Sequence, residues 1–317
     1  MKILTPPYDL NFPPLVATIG CFDGVHQGHR FLIGQVCAEA ERRKMASALI
    51  TFPVHPRQVM QSGYCPELLS CLPQKTEQLL QQPADYCLLL PFTRELSLLS
   101  ARDFMRHLRD RFHIQVLVIG YDHRFGHNRC EGFADYRRYA EELGMEVVQA
   151  EPLCLDGASV SSSLIRNLLQ QGQLRQANRC LGYAYYLNGQ VVDGHKIGRT
   201  LGFPTANLRP LCPEKLIPAH GVYAVRVGLD GQCYEGIMNI GCRPTLDNGP
   251  QTSIEVHILG FSGNIYQHSL KVELVDYLRP ELKFASTEEL VRQMEQDRLL
   301  AEQRLKALSA EVSSTLH

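Results

Sequence analysis

Residues 16–30 read Val-Ala-Thr-Ile-Gly-Cys-Phe-Asp-Gly-Val-His-Gln-Gly-His-Arg, and this stretch decides the fold of the first half of the chain. Val16–Ile19 is a short apolar run cut off by Gly20, the pattern of a buried strand that ends abruptly. Phe31, Leu32, Val36 and Ala40 then recur at helical spacing, so a helix is expected from near His29 to about Lys44. Between strand and helix lie Gly20, Gly24 and Gly28, with Phe22, Asp23, His26 and His29 among them. Glycines there let the backbone approach a ligand, and a helix start offers unpaired N–H groups to phosphate. The spacing is neither the dinucleotide fingerprint nor a Walker A loop. Two histidines three apart also fit part of a metal site or plain surface polarity; the glycines and the preceding strand favour the phosphate reading.

Working outward, Ala46–Phe52 is a second apolar run, which makes a strand–helix–strand unit and implies a parallel sheet. It runs into Thr51-Phe52-Pro53-Val54-His55-Pro56-Arg57, where two prolines forbid further pairing. His55 and Arg57 are therefore expected in a loop at the carboxyl edge, where open parallel sheets bind ligands; a solvated turn fits equally well. Helices are expected over 67–80, 101–113 and 133–143, and strands over 86–90, 116–119 and 146–149. Gly120 ends the strand at 116–119 and leads into Tyr121-Asp122-His123-Arg124-Phe125-Gly126-His127-Asn128-Arg129, a phosphate-compatible cluster or a charged surface loop. Ser161, Ser162 and Ser163 precede an apolar helical run containing Arg166; they serve as helix caps and also crowd donors where an anion can bind.

Beyond Leu181-Gly182 the helical period gives way to short strands at 189–192, 222–227, 233–240, 254–259 and 270–278, suited to an antiparallel barrel or sandwich. The capping box Ser286-Thr287-Glu288-Glu289 opens a last helix to about Ala310. The expected boundary gives domains of 1–183 and 184–317. In the second, Gly194, Gly198 and Gly202 accompany Lys196 and Arg199 and lead into Phe203-Pro204-Thr205-Ala206-Asn207. Such a loop can cradle phosphates through backbone amides, and alternation places the Thr205 and Asn207 oxygens on one side, as a Mg²⁺ site needs. Glu255 lies in an alternating run and reads locally as an ordinary outward-facing strand residue.

The 317 residues, 44% of them hydrophobic, suffice for two cores. A net charge of −1, from 32 basic and 33 acidic residues, gives no electrostatic case for nucleic acid. No apolar run reaches membrane-spanning length, and the Pro-rich start reads as no signal peptide. Eleven cysteines without a Cys-x-x-Cys pair point to reduced thiols and a cytoplasmic setting.

The His-x-Gly-His turn resembles the signature of the HIGH-type nucleotidyltransferases, which cleave ATP between its α- and β-phosphates. More widely, the chain resembles the bacterial bifunctional riboflavin kinase/FAD synthetase (FMN adenylyltransferase) family. GCFDGVHQGH, TFPVHPR, IGYDHRFGHNR and VSSSLIRNLL carry the likeness in the first half, and GRTLGFPTANL, GVYAV, GIMNIGCRPT, SIEVHIL and KFASTEELVRQMEQD in the second. The resemblance implies an α/β Rossmann-like nucleotidyltransferase domain, then an antiparallel six-stranded β-barrel kinase domain with a C-terminal helix. It implies phosphorylation of riboflavin to FMN and adenylylation of FMN to FAD, with ATP, riboflavin and FMN as partners and Mg²⁺ accompanying ATP. By the same implication His26 and His29 stabilise the transferring phosphoryl group, while Asp122, Arg129 and Ser162 position ATP and Arg166 braces the site. Thr205 and Asn207 hold the ATP–Mg²⁺ complex, and Glu255 is the base that deprotonates the 5′-hydroxyl of the flavin. Ser163-Leu164 stands where the family usually has Thr-Arg, His123 where Phe is common, and residues 260–267 depart as well. Loss of one activity, or a flavin carrier without turnover, are the competing expectations; homo-oligomerisation stays open.

Overall fold

The computed structural model describes residues 1–8, 11–60, 67–121, 123–127, 130–193, 202–245 and 249–314. The chain divides into two compact units, Met1–Ser162 and Ser163–His317.

The first unit is built on a six-stranded parallel sheet. Its strands are β1 (Lys2–Leu4), β2 (Leu15–Ile19), β3 (Ala46–Thr51), β4 (Tyr86–Leu89), β5 (Ile114–Ile119) and β6 (Glu146–Gln149), in the order β1-β4-β3-β2-β5-β6. Parallel strands need crossovers, supplied by α1 (Gln27–Arg43), α3 (Leu72–Leu80), α5 (Ala101–Phe112) and α6 (Phe133–Leu143); α2 (Pro56–Met60) and α4 (Arg94–Ser97) are short. β2 and β3 are buried almost throughout because helices cover both sheet faces. The strand order reverses at β2, which lies between β3 and β5. Open sheets bind ligands outside the carboxyl ends of the strands at such a switch point. Gly20 and Gly120, which end β2 and β5, flank it.

In the second unit six antiparallel strands close a barrel in the order β10-β13-β12-β11-β14-β9. They are β9 (Tyr186–Val192), β10 (Ala206–Pro210), β11 (Gly221–Leu229), β12 (Gln232–Thr245), β13 (Gly249–Ile258) and β14 (Ser269–Arg279). The hairpin β7 (Cys154–Leu155) and β8 (Ala158–Ser159) precedes them in the chain. Alternation fills the lumen: Ile254, Val256 and Ile258 point inward, while Glu255 and His257 are half-exposed on the outer face. α7 (Ser162–Gln170) and α8 (Leu174–Leu181) precede β9. α8 is tied to β14 by the bidentate Arg175–Asp276 pair at 2.9 and 2.7 Å and by Asn178, which donates to the Leu274 carbonyl. The C-terminal helix α9 (Thr287–Ser314) lies against the barrel wall, with Ala301 and Leu305 packed on Ala224 and Val275.

Of the expectations that the structure changes, three have a clear local reason. α1 begins at Gln27 rather than His29, because His26 is the N-cap and its Nδ1 accepts the His29 N–H at 3.3 Å. Residues 67–71 are not helical: the Leu69 and Ser70 N–H groups are taken by Asp23, so α3 starts at Leu72 with Pro73 in its first turn. Arg57 is not in a loop. The strand ends at Thr51, ahead of Pro53, and Pro56 is pre-organised for a first helical position, so α2 begins there.

Candidate functional sites

In the first unit the turn after β2 is held by its own residues. The Asp23 carboxylate accepts the N–H groups of Leu69 at 3.0 Å and Ser70 at 2.9 Å. The Gly24 N–H donates to Ser70 Oγ at 2.8 Å, and Phe22 is fully buried beneath the turn. Ser162, the first residue of α7, donates its hydroxyl to the Asp23 carbonyl at 3.0 Å. Gly28 is where the backbone needs the missing side chain: a Cβ there would lie 2.8 Å from the Val160 carbonyl oxygen. The 159–162 segment therefore sits directly against the His-x-Gly-His turn.

His26 is buried, and its ring stacks on that of His29 with centroids 3.6 Å apart and planes 17° from parallel. His29 Nδ1 is enclosed without a hydrogen-bond partner. Burial first, then the charges of His26 and Lys75, hold the His29 imidazole well below the usual histidine range. At neutral pH His29 is thus a neutral imidazole at the start of a helix, a hydrogen-bonding group where phosphate is favoured.

His55 caps α2, its Nδ1 accepting the Arg57 N–H at 3.2 Å, and lines a small cavity of about 20 Å³ with Cys21, Asp23, Phe52 and Lys75. That is room for about a water, not for a nucleotide. Arg124 is exposed after the end of β5, and Tyr121 donates to Ser159 Oγ at 3.0 Å. Arg166 is one turn into α7, within the second unit. Asp122 and Arg129 lie outside the described residues.

The second unit carries its candidate site on the outer face of the barrel. Asn207 on β10 and Asn239 on β12 both pair in register with Glu255 on β13, so the three occupy one row across adjacent strands. Thr205 Oγ1 donates to Glu255 Oε2 at 3.2 Å. His257, two residues on and on the same face, contacts the Pro204 carbonyl through Nδ1 at 2.8 Å. Because a carbonyl only accepts, His257 Nδ1 carries the proton, and the contact pins Phe203-Pro204-Thr205 to β13. Gly202, at φ 82°, takes the left-handed conformation that begins this segment. Gly194, Gly198 and Arg199 lie outside the described residues.

A cavity of about 360 Å³ opens over this row, lined by Thr205, Asn239, Glu255, Glu281, Phe284 and Met294 among others. α9 closes one side of it with Leu290, Met294 and Asp297, on the same helix face as Ala301 and Leu305. Asp297 is buried and receives Arg279 at 2.9 and 2.7 Å and Gln293 at 2.9 Å, so the charged wall of the cavity is internally paired. Asn239 and the Arg279–Asp297 pair escaped the sequence reading. Asn239 alternates with buried Met238 and Ile240 and faces Glu255 across the ladder, a signal visible only once the register is known.

The two halves define a class: a two-domain chain with a glycine-rich turn at the switch point of a parallel α/β unit and an oxygen-lined cavity on a closed barrel. The chain matches the FAD synthetase family over residues 10–164 and the riboflavin kinase family over 181–305. It is 35% identical over 310 residues to the bifunctional riboflavin kinase/FMN adenylyltransferase of Escherichia coli strain K12, covering 95% of this chain and 97% of that protein. The same-named protein of Bacillus subtilis strain 168 is 34% identical over 288 residues, covering 89% and 90%. A solved structure titled as a macrolide-efflux protein from Streptococcus pneumoniae superposes with a TM-score of 0.85 at 27% identity, covering 95% of this chain and 99% of that one. The chain belongs to the bifunctional riboflavin kinase/FMN adenylyltransferase family.

Proposed function

We propose that the chain phosphorylates riboflavin to FMN with ATP and adenylylates FMN to FAD with release of pyrophosphate, each reaction in its own domain. The observation that carries this reading is Glu255: in register with Asn207, bonded to Thr205, and lining a cavity large enough for a flavin.

In the barrel, Glu255 takes the proton of the riboflavin 5′-hydroxyl as its oxygen attacks the γ-phosphorus of ATP and ADP departs. The Thr205 hydroxyl orients that carboxylate and leaves its lone pairs available. The hydroxyl of Thr205 and the amide oxygen of Asn207 are hard oxygen ligands of the kind that would hold Mg²⁺, with Glu255 kept beside them as the base. Mg²⁺ bound there with ATP supplies neutralisation of phosphate charge. The apolar lining from Phe284, Leu290 and Met294 suits a flavin ring.

In the α/β unit, an oxygen of the FMN phosphate attacks the α-phosphorus of ATP and pyrophosphate leaves. His26 and His29 stabilise charge developing on the transferred group, and the glycine turn and Ser162 end of α7 hold the phosphates. Neutral His29 keeps one ring N–H with which to donate a hydrogen bond to phosphate. Gly20, Phe22, Asp23, Gly24 and Gly28 shape this turn rather than react. No covalent intermediate is needed.

We place the functional boundary near residue 184, supported by family matches that end at 164 and resume at 181. A cytoplasmic setting is part of the proposal, supported by eleven cysteines without a disulfide or zinc pattern. Among the described residues no helix is long and apolar enough to cross a membrane. Incubation with riboflavin, ATP and Mg²⁺, followed by separation of the flavins, tests the reading. FAD is expected; FMN alone would leave only the kinase, and unchanged riboflavin would refute both activities.

A further inference from the structure

Lys75 is 7% exposed, in the interior of the first unit beneath the carboxyl edge of the sheet. Its Nζ donates to the Phe52 carbonyl at 2.7 Å, the Cys21 carbonyl at 3.2 Å and Thr51 Oγ1 at 3.3 Å. Thr51 Oγ1 in turn donates to the Cys21 carbonyl at 3.2 Å, so its lone pairs are what Lys75 meets. Three acceptors around one nitrogen require three donors, which only the ammonium form supplies. No carboxylate among the described residues forms an ion pair with this ammonium; Asp23, which accepts the N–H groups of Leu69 and Ser70, favours its charge only through space. A buried, unpaired cation is costly, and a neutral side chain could fill the same space more cheaply. The three contacts join the end of β2 to the end of β3, the two strands from which the glycine turn and the 52–57 segment emerge. The charge also acts on His29.

We propose that Lys75 is a positioning residue for adenylyl transfer, its ammonium locking the carboxyl ends of β2 and β3 together and fixing a positive charge beside the His26–His29 pair. The inference rests on the adenylyl-transfer reading of this turn. A fixed cation beneath a polyphosphate site raises the local potential without occupying an acceptor oxygen of the ligand, and it discourages His29 from taking a proton. The groups acting electrostatically on His29 are His26, preceding its helix, and Lys75 from α3; Lys75 is in turn influenced by Cys21, Asp23 and Cys87. Removing the charge therefore does two things: it loosens the turn, and it lets His29 protonate at higher pH.

Full-length Lys75→Gln and Lys75→Met test this, with the dispersed methyl NMR signals of the first domain as its fold control and riboflavin phosphorylation as the control for the second. Lys75→Gln keeps donors for the carbonyls but not the charge; Lys75→Arg keeps the charge. For FMN adenylylation, kcat is expected to fall on the order of 10²-fold in the Gln and Met variants, with KM for ATP changing less. The His29 NMR titration, assigned by its loss in His29→Ala, is expected to move to higher pH in both and to return toward wild type in Lys75→Arg. Wild-type kcat and an unmoved His29 titration in Lys75→Gln would overturn the proposal. Failure of wild-type protein to make FAD from FMN would instead overturn the activity on which it rests.

Discussion

In the first domain the candidate site is one contiguous turn, residues 20–29, braced from behind by Asp23, Ser70 and Ser162 and lined by two stacked imidazoles. In the barrel it is a row across three strands, Asn207, Glu255 and Asn239, completed by Thr205 and roofed by a helix that starts thirty-odd residues later. Both are read as phosphate-transfer sites, yet the first relies on backbone approach and desolvated rings, the second on side-chain oxygens aligned by sheet register. Chemistry accounts for the division. A γ-phosphoryl transfer to a hydroxyl needs a base, and a carboxylate suits it; transfer to a phosphate that is already ionised needs only charge stabilisation and positioning.

The contrast breaks most readily at Glu255. Glu255→Gln preserves shape and removes the base, so FMN formation from riboflavin is expected to fall on the order of 10³-fold while FAD formation from supplied FMN persists. Rapid phosphorylation by that variant would leave positioning alone to explain the kinase. His29→Ala is the mirror: FAD formation falls about 10²–10³-fold, the usual loss for one preorganised charge stabiliser, and the kinase is untouched. Near-wild-type FAD synthesis in the folded variant would move adenylyl transfer elsewhere.

Smaller effects sharpen the picture. Arg279→Met leaves the buried Asp297 carboxylate without its cation, with only Gln293 donating to it, and should destabilise the barrel by about 3 kcal/mol. Denaturant midpoints followed through kinase activity report it, and an unchanged midpoint would show the pair to be dispensable. The smallest effect belongs to Glu39, whose carboxyl is held down at about 2, chiefly by its hydrogen bond from Arg42 and further by Arg43. A depressed folded value adds stability that is full above the ordinary glutamate range and is lost as pH falls toward 2. Arg42 is largely exposed, so Glu39→Gln should cost no more than about 1 kcal/mol at pH 7 and nothing near pH 2. A cost independent of pH would assign the effect to packing.

The same contrast explains what the sequence made legible. Apolar runs ending in glycine marked β2 and β5, and the His-x-Gly-His turn was readable because its parts are neighbours in the chain. Thr205 and Asn207 were readable as an alternating pair, but locally Glu255 was only an outward strand residue; its closeness to them is made by the pairing of β10 with β13. Asn239 and the Arg279–Asp297 pair depend on further long-range pairings and stayed hidden. Lys75 was masked differently. Within Gln74-Lys75-Thr76-Glu77-Gln78 a lysine reads as solvated surface, and the only hint was its place on one helix face with Leu72 and Leu79. The start of α3 was misread because a carboxylate nearly fifty residues away takes the N–H groups of Leu69 and Ser70.

Mixing two broken proteins tests the central claim, two separate sites in one chain, most directly. Glu255→Gln and His29→Ala are each incubated with riboflavin, ATP and Mg²⁺, alone and then together, and the flavins are separated. Alone, the first should leave riboflavin almost unchanged and the second should stop at FMN; together they should make FAD, because FMN released by one is substrate for the other. If either substitution abolishes both reactions, or the mixture yields no FAD, the two-site account is contradicted.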